Sequence, residues 1–127
     1  MLGQAHRFHG YGSLRFAYSN GQTVRGTLMG IRYCNNPKRQ AYRVAVVVSK
    51  KVSKSAVVRN RIRRRVYALI RQAHLAEQPA YDIIVTVFNQ AVADIPAQEL
   101  TNELNEMLDR TEVKRAAPRG IIETKES

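Results

Sequence analysis

The residues best suited to bind a ligand lie together in one segment, residues 50–72, which reads KKVSKSAVVRNRIRRRVYALIRQ. This segment contains nine basic residues and no acidic one. Six of the nine are arginines, whose planar guanidinium groups can contact two phosphate oxygens at once or stack on a base. Asn60 stands between two of these arginines and adds a neutral donor and acceptor. The residue types therefore predict contact with a phosphate backbone, and they suit folded RNA.

Groups that could hydrolyse a phosphodiester have little support in the sequence. The first acidic residue is Glu77, so the chain before it holds no carboxylate that could bind a metal or act as a general acid or base. His6 and His9 are three residues apart, but His74 is the only other histidine, and a zinc site would lack its four ligands. The single cysteine, Cys34, is interpreted as structural. We therefore expect no catalytic residue and no metal ligand in this chain.

Charge is distributed unevenly along the chain. The formal net charge is +11, yet sixteen of the 21 basic residues precede Glu77, and all ten acidic residues occur from Glu77 onwards. A surface adapted only for solubility would mix the two signs. The asymmetry favours a polyanionic partner, and a basic protein whose charge serves only solubility is the alternative.

Length and composition indicate one domain with an aliphatic core. A chain of 127 residues accommodates a single core at about 100–200 residues per domain, and it is 44% hydrophobic with no Trp. The opening MLGQAHRFHG has neither an apolar signal core nor a membrane-spanning run, so we expect a cytoplasmic protein without membrane contact. Residues 114–127 show no periodicity and are predicted to form a disordered tail after a folded domain at residues 1–113.

A helix predicted from Ser55 onwards carries the basic segment. Its apolar residues recur at steps of three and four, and they are Val58, Ile62, Val66, Leu69 and Ala73. Ser53 or Ser55 can cap its start, and Pro79 follows its end. Arg64 and Arg71 project away from the apolar stripe, whereas the others flank it, namely Arg59, Arg61, Arg63 and Arg65. Like charges four residues apart repel each other, which favours an anionic partner that relieves the repulsion.

Strands precede and follow this helix. Residues 42–49 (YRVAVVVS) and 81–88 (YDIIVTVF) are predicted to be buried strands, so the helix between them completes a βαβ unit. Residues 11–19 are predicted to form a short helix, and residues 23–33 a less regular strand. Pro96 opens a last helix whose apolar stripe comprises Leu100, Leu104, Met107 and Leu108.

The segment SKKVSKSAVVRNRIRRRVYALIR resembles the signature of the protein subunit of bacterial ribonuclease P, in which Ser-Lys-Lys at a strand exit leads to an Arg-Asn-Arg helix. The resemblance covers residues 6 to about 110, and Arg59-Asn60-Arg61 is its most specific part. It implies an α/β fold, a single-domain two-layer sandwich in the order α-β-β-β-α-β-α. It also implies a left-handed βαβ crossover, an exception to the usual right-handed connection.

The resemblance further implies which residues bind RNA. Those that would dock on the catalytic RNA of ribonuclease P are Lys50, Lys51, Lys54, Arg59, Asn60, Arg61, Arg63 and Arg64. The single-stranded 5′ leader of precursor tRNA would lie in a cleft between the first helix and the sheet. Leu14 and Tyr18 occupy positions where the family commonly has phenylalanines, and Tyr33 lies near its sheet aromatic. Leu14 offers no ring for stacking, and packing of the first helix is the alternative role for Tyr18.

The activity implied by the resemblance is endonucleolytic removal of the tRNA 5′ leader, with this chain as the protein subunit of the holoenzyme. The catalytic groups and Mg²⁺ would then belong to the partner RNA, with one protein per RNA. The alternative is a ribosome-associated or general RNA-binding α/β module with no role in tRNA processing. A DNA-binding domain is disfavoured because strands, rather than a second helix, flank the basic helix.

Overall fold

Within residues 21–113, four β-strands and two α-helices follow one another as three strands, a helix, a strand and a helix. The computed structural model describes residues 21–113 of the chain. The elements are β1 (Gln22–Arg25), β2 (Met29–Asn35), β3 (Arg43–Val47), α1 (Ala56–Gln72), β4 (Tyr81–Val87), a 3₁₀ helix (Gln90–Ala93) and α2 (Ala97–Asp109). The predicted α/β class and this order are confirmed. The helix predicted at residues 11–19 and the tail predicted at 114–127 lie outside the described residues.

The strands form one mixed sheet in the order β1-β2-β4-β3. Strand β2 is antiparallel to both β1 and β4, whereas β3 runs parallel to β4. Because parallel neighbours need a crossover, α1 connects β3 to β4, which confirms the predicted βαβ unit. The hand of this crossover stays a prediction.

The segment predicted as a single strand at residues 23–33 is instead a hairpin of β1 and β2. The Gly26 amide donates to the carbonyl of Met29 at 2.8 Å, which closes the turn. A Cβ on Gly26 would lie 2.7 Å from the sulfur of Met107, so a larger residue in this turn would require the Met107 side chain of α2 to shift. The single-strand prediction was wrong because it overlooked this packing against an element far along the chain.

The sheet has a core face and a second face, because successive side chains on a strand point to opposite sides. Ile31, Val44, Ile83 and Val85 lie in register on the core face and belong to one cluster with the apolar residues of α1 and α2. The second face carries the alternate residues of each strand. On β1 and β2 these include Thr23, Arg25, Gly30 and Arg32, and on β4 they include Asp82, Ile84 and Thr86.

Helix α1 begins where the sequence predicted. The side chain of Ser55 accepts a hydrogen bond from the Val58 amide at 3.2 Å, as expected of an N-cap. Ile62 and Val66 of the predicted stripe are completely buried. Ile70, which is also completely buried, and Tyr67, which is 8% exposed, join them although the stripe did not include them. The four predicted apolar residues of α2 are buried as well. No helix within residues 21–113 is long and apolar enough to cross a membrane.

Candidate nucleic-acid interface

Three lysines lie in the loop between β3 and α1, at the sheet edge where β3 ends. Lys50, Lys51 and Lys54 are all exposed. No hydrogen bond or ion pair within residues 21–113 engages their ammonium groups. Three exposed cations therefore lie next to the N-terminal turns of α1, where an external anion can reach them.

Two arginines of α1 fold back onto this loop. Arg59 donates through Nη1 to the carbonyl of Ser53 at 2.9 Å. Arg63 donates to the side-chain oxygen of Asn60 at 2.9 Å and to the carbonyl of Val48 at 3.4 Å. A guanidinium has five N–H donors, so each arginine keeps donors for phosphate while it braces the lysine loop.

The next two arginines face solvent. Arg61 forms an ion pair with Asp94 at 3.1 Å, and the two side chains remain 52% and 74% exposed. Such an exposed pair contributes about 0–1 kcal/mol, so a phosphate can replace the carboxylate at little cost. Arg64 is exposed and has no partner within the described range. Both guanidinium groups are thus accessible to RNA.

Arg65 has a structural role. Its Nη1 donates to the carbonyl of Val92 at 2.8 Å, and its Nη2 donates to that of Ile95 at 2.7 Å. These bonds join α1 to the 3₁₀ helix and to the segment that leads into α2. Its acceptors differ from those of Arg59, Arg61 and Arg63. These separate contacts relieve the repulsion expected between arginines four residues apart.

Only one of the three residues predicted to bind the leader lies in the described range. Leu14 and Tyr18 lie outside the described residues. Tyr33 is on the core face, only 5% exposed, with its hydroxyl donating to Gln22 at 3.1 Å and its ring centroid 6.1 Å from that of Tyr81. A ring buried beside the helices has no face to offer a base, so this placement corrects the expectation for Tyr33.

Two cationic side chains of the second face were missed by the sequence reasoning. Arg32, next to Tyr33, lies on this face and donates to the hydroxyl of Thr23 at 2.8 Å. Arg25 places its guanidinium carbon 4.5 Å from the centroid of the Phe88 ring. The period-2 alternation from Val24 would have assigned both arginines to this face once the hairpin was recognised.

The completely buried carboxylate of Asp82 has a structural role. Arg43 donates to its two oxygens at 2.9 and 2.8 Å, and Asn36 donates to it at 2.9 Å. Nearby, burial raises the pKa of the Cys34 thiol, Asp82 raises it further, and Arg32 opposes the change. A raised pKa leaves the thiol protonated at neutral pH, so Cys34 is not an activated nucleophile.

Comparison with known proteins agrees with this geometry. Residues 2–112 match the model of the family described as Ribonuclease P. A "Ribonuclease P protein component" from Pseudanabaena is 37% identical over 97 residues, which cover 76% of this chain and 82% of that protein. One from Picosynechococcus is 30% identical over 88% of this chain and 95% of its own.

A solved structure shows the same fold. The RNase P protein of Staphylococcus aureus is 28% identical to this chain and aligns with a TM-score of 0.73, covering 87% of this chain and 98% of its own. The Arg-Asn-Arg helix, the lysine loop before it and the α/β fold thus occur together in one chain. The chain belongs to the ribonuclease P protein family, whose members are subunits of the endoribonuclease that matures the 5′ end of tRNA.

Proposed function

We propose that this subunit binds the catalytic RNA of ribonuclease P through the basic side of α1 and the lysine loop, and thereby helps the holoenzyme bind precursor tRNA. The observation that carries the proposal is the exposed group of Lys50, Lys51, Lys54 and Arg64, which has no anionic partner within residues 21–113. Arg59, Asn60, Arg61 and Arg63 complete the surface, already oriented by hydrogen bonds. One protein would bind each RNA, in the cytoplasm.

We propose that the partner RNA carries the groups that cleave precursor tRNA. Ribonuclease P is a metal-dependent enzyme. The described residues contain no group of three His, Cys, Asp or Glu that could hold a metal ion, and Asp82 is occupied by Arg43 and Asn36. In this proposal Mg²⁺ is bound by RNA phosphates, and the protein supplies positive charge that reduces repulsion between catalytic RNA and substrate.

We propose that the single-stranded leader of precursor tRNA lies on the second face of the sheet. Leu14 and Tyr18 remain proposed contacts, and Arg32 takes the place first given to Tyr33, because its side chain is on that face. A cationic side chain there would contact the leader backbone without regard to sequence.

Reconstitution at different Mg²⁺ concentrations tests the function. The protein alone should cleave no precursor tRNA, the RNA alone should cleave at high Mg²⁺, and adding the protein should restore cleavage at low Mg²⁺. Replacing Lys50, Lys51 and Lys54 together by Ala should remove that rescue. It should also make the slope of log affinity against log salt less steep by about 2–3, at 0.7–0.9 per phosphate contact.

A matched control removes the same charge elsewhere. Lys38, Arg39 and Arg110 are exposed, they lie outside α1 and the lysine loop, and none of them forms an ion pair within the described part of the chain. Replacing these three by Ala should leave the rescue intact. Cleavage by the protein without RNA, or equal rescue by both triple variants, would contradict the proposal.

A further inference from the structure

Val57 is one of two large hydrophobic side chains that are exposed within residues 21–113. It lies in the first turn of α1 and is 69% exposed. Its neighbour Val58 packs against the core cluster, whereas Val57 belongs neither to that cluster nor to the residues of the described range that pack against it. The core therefore does not explain an apolar residue at this position.

Val57 lies on the cationic side of α1. Residues three, four and seven positions apart share one side of a helix, which places Val57 on the same side as Asn60, Arg61 and Arg64. All three of these residues are exposed. Ile62, five residues after Val57, is completely buried on the other side of the helix. An apolar side chain thus lies among the groups proposed to bind RNA.

The helix itself does not favour valine here. A β-branched side chain loses χ1 freedom against the preceding turn, so valine has a lower helix propensity than alanine or arginine. An arginine at this position would also have extended the cationic side of the helix. Single exposed apolar residues are common on protein surfaces. The position of Val57 among cations, rather than its exposure, therefore points to a ligand that covers it.

The surrounding charge determines which ligand fits. Lys54, Arg61 and Arg64 attract a polyanion. The long arginine side chains reach phosphates first, so the shorter Val57 meets atoms that lie between phosphates. In A-form RNA the wide, shallow minor groove exposes riboses and base edges at this place. The C–H groups of these sugars and bases provide an apolar surface for a valine.

We propose that Val57 packs on riboses or base edges of the catalytic RNA, between phosphates contacted by Arg61 and Arg64. Phosphate contacts are available in any polyanion, but this apolar contact needs sugars and bases of the right shape. Val57 is thus the residue of this surface that selects folded RNA over other polyanions. The inference rests on the proposed function, because the RNA is the one named there.

Val57→Ala tests the contact without disturbing the fold, because alanine has the higher helix propensity and Val57 is outside the core. It should weaken binding of the catalytic RNA about 4- to 15-fold, as expected for the loss of one or two buried methyl groups. The slope of log affinity against log salt should not change, because no charge is removed. Val57→Thr keeps the branched shape, replaces a methyl by a hydroxyl, and should also weaken binding. Thermal unfolding verifies that each variant is folded.

Inorganic polyphosphate separates the apolar contact from charge, since it has phosphates but neither ribose nor base. The wild type and Val57→Ala should bind polyphosphate equally. Arg64→Ala, on the same side of the helix, should bind both polyphosphate and RNA more weakly. Equal RNA binding by the wild type and Val57→Ala, or an equal loss of RNA and polyphosphate binding by Val57→Ala, would overturn the apolar contact.

The reconstituted holoenzyme tests which RNA is contacted. At protein concentrations that saturate the catalytic RNA, Val57→Ala should leave the affinity for precursor tRNA unchanged, and a loss there would overturn the assignment to the catalytic RNA. If the triple lysine variant keeps the magnesium rescue while Val57→Ala weakens RNA binding, the proposed function fails and the apolar contact stands. If the triple variant loses the rescue and Val57→Ala binds RNA like the wild type, only the apolar contact fails.

Discussion

Arg64 and Arg65 are adjacent in sequence and chemically identical, yet the structure uses them for different purposes. Arg64 faces solvent without a partner in the described range, whereas Arg65 donates to two main-chain carbonyls of the segment before α2. One charge is available to RNA, and the other is consumed in holding two elements together. The pair therefore separates binding from stability at the scale of a single residue.

Alanine substitution of each arginine tests this separation. Arg64→Ala should make the salt slope of RNA binding less steep by about one and leave the free energy of unfolding within about 0.5 kcal/mol of the wild type. Arg65→Ala should lower the free energy of unfolding by about 1–3 kcal/mol, because two carbonyls lose a charged donor. Urea unfolding and binding at several salt concentrations measure both quantities. Equal effects of the two substitutions on stability would contradict the assigned roles.

At the scale of the elements, a buried ion pair joins the two parallel strands. Arg43 on β3 and Asp82 on β4 are register partners, and their side chains are 6% and 0% exposed. Asn36, in the loop after β2, donates to the same carboxylate and ties in a third segment. The ion pair thus holds the N-terminal ends of β3 and β4 together.

Removing a carboxylate charge should lower the free energy of unfolding much more at the buried Asp82 than at the exposed Asp94. Asp82→Asn removes the carboxylate charge that faces the buried Arg43 guanidinium and should lower the free energy of unfolding by about 3–5 kcal/mol. Asp94→Asn breaks an ion pair of the same type in which both side chains are exposed, and it should cost less than about 1 kcal/mol. Chemical denaturation of the two variants provides the comparison, and similar losses would disprove the structural role of Asp82.

At the scale of the whole molecule, basic and acidic side chains lie on different parts of the surface. The lysine loop and the exposed arginines of α1 occur together, whereas α2 presents Glu99, Glu106 and Asp109 to solvent. An RNA that approaches the α2 side meets like charge, so the field favours one docking orientation. The division between a basic first part and an acidic second part of the sequence thus has a spatial counterpart.

Salt dependence of RNA binding measures this field. If about six phosphates are contacted, log affinity should fall with log salt at a slope of about −4 to −5. A slope near −1 would show that the basic surface does not clamp a phosphate backbone.

Much of this protein could be determined from the sequence alone. The stripe that includes Ile62 and Val66, the cap at Ser55 and the strands around α1 depend on local periodicity, and each was confirmed. The arginine-rich helix was equally evident, because charge without acidic neighbours is visible in the sequence. Local patterns suffice where neighbouring residues alone determine the structure.

Tertiary structure alone decided which face and which partner each side chain has. A shift of one residue in strand register moves every side chain to the other face, so the turn at Gly26 places Tyr33 in the core and Arg32 on the second face. Arg65 differs from Arg64 only because the carbonyls it meets lie 27 and 30 residues further along the chain. Contacts between distant segments have no periodic signature, and the fold creates them.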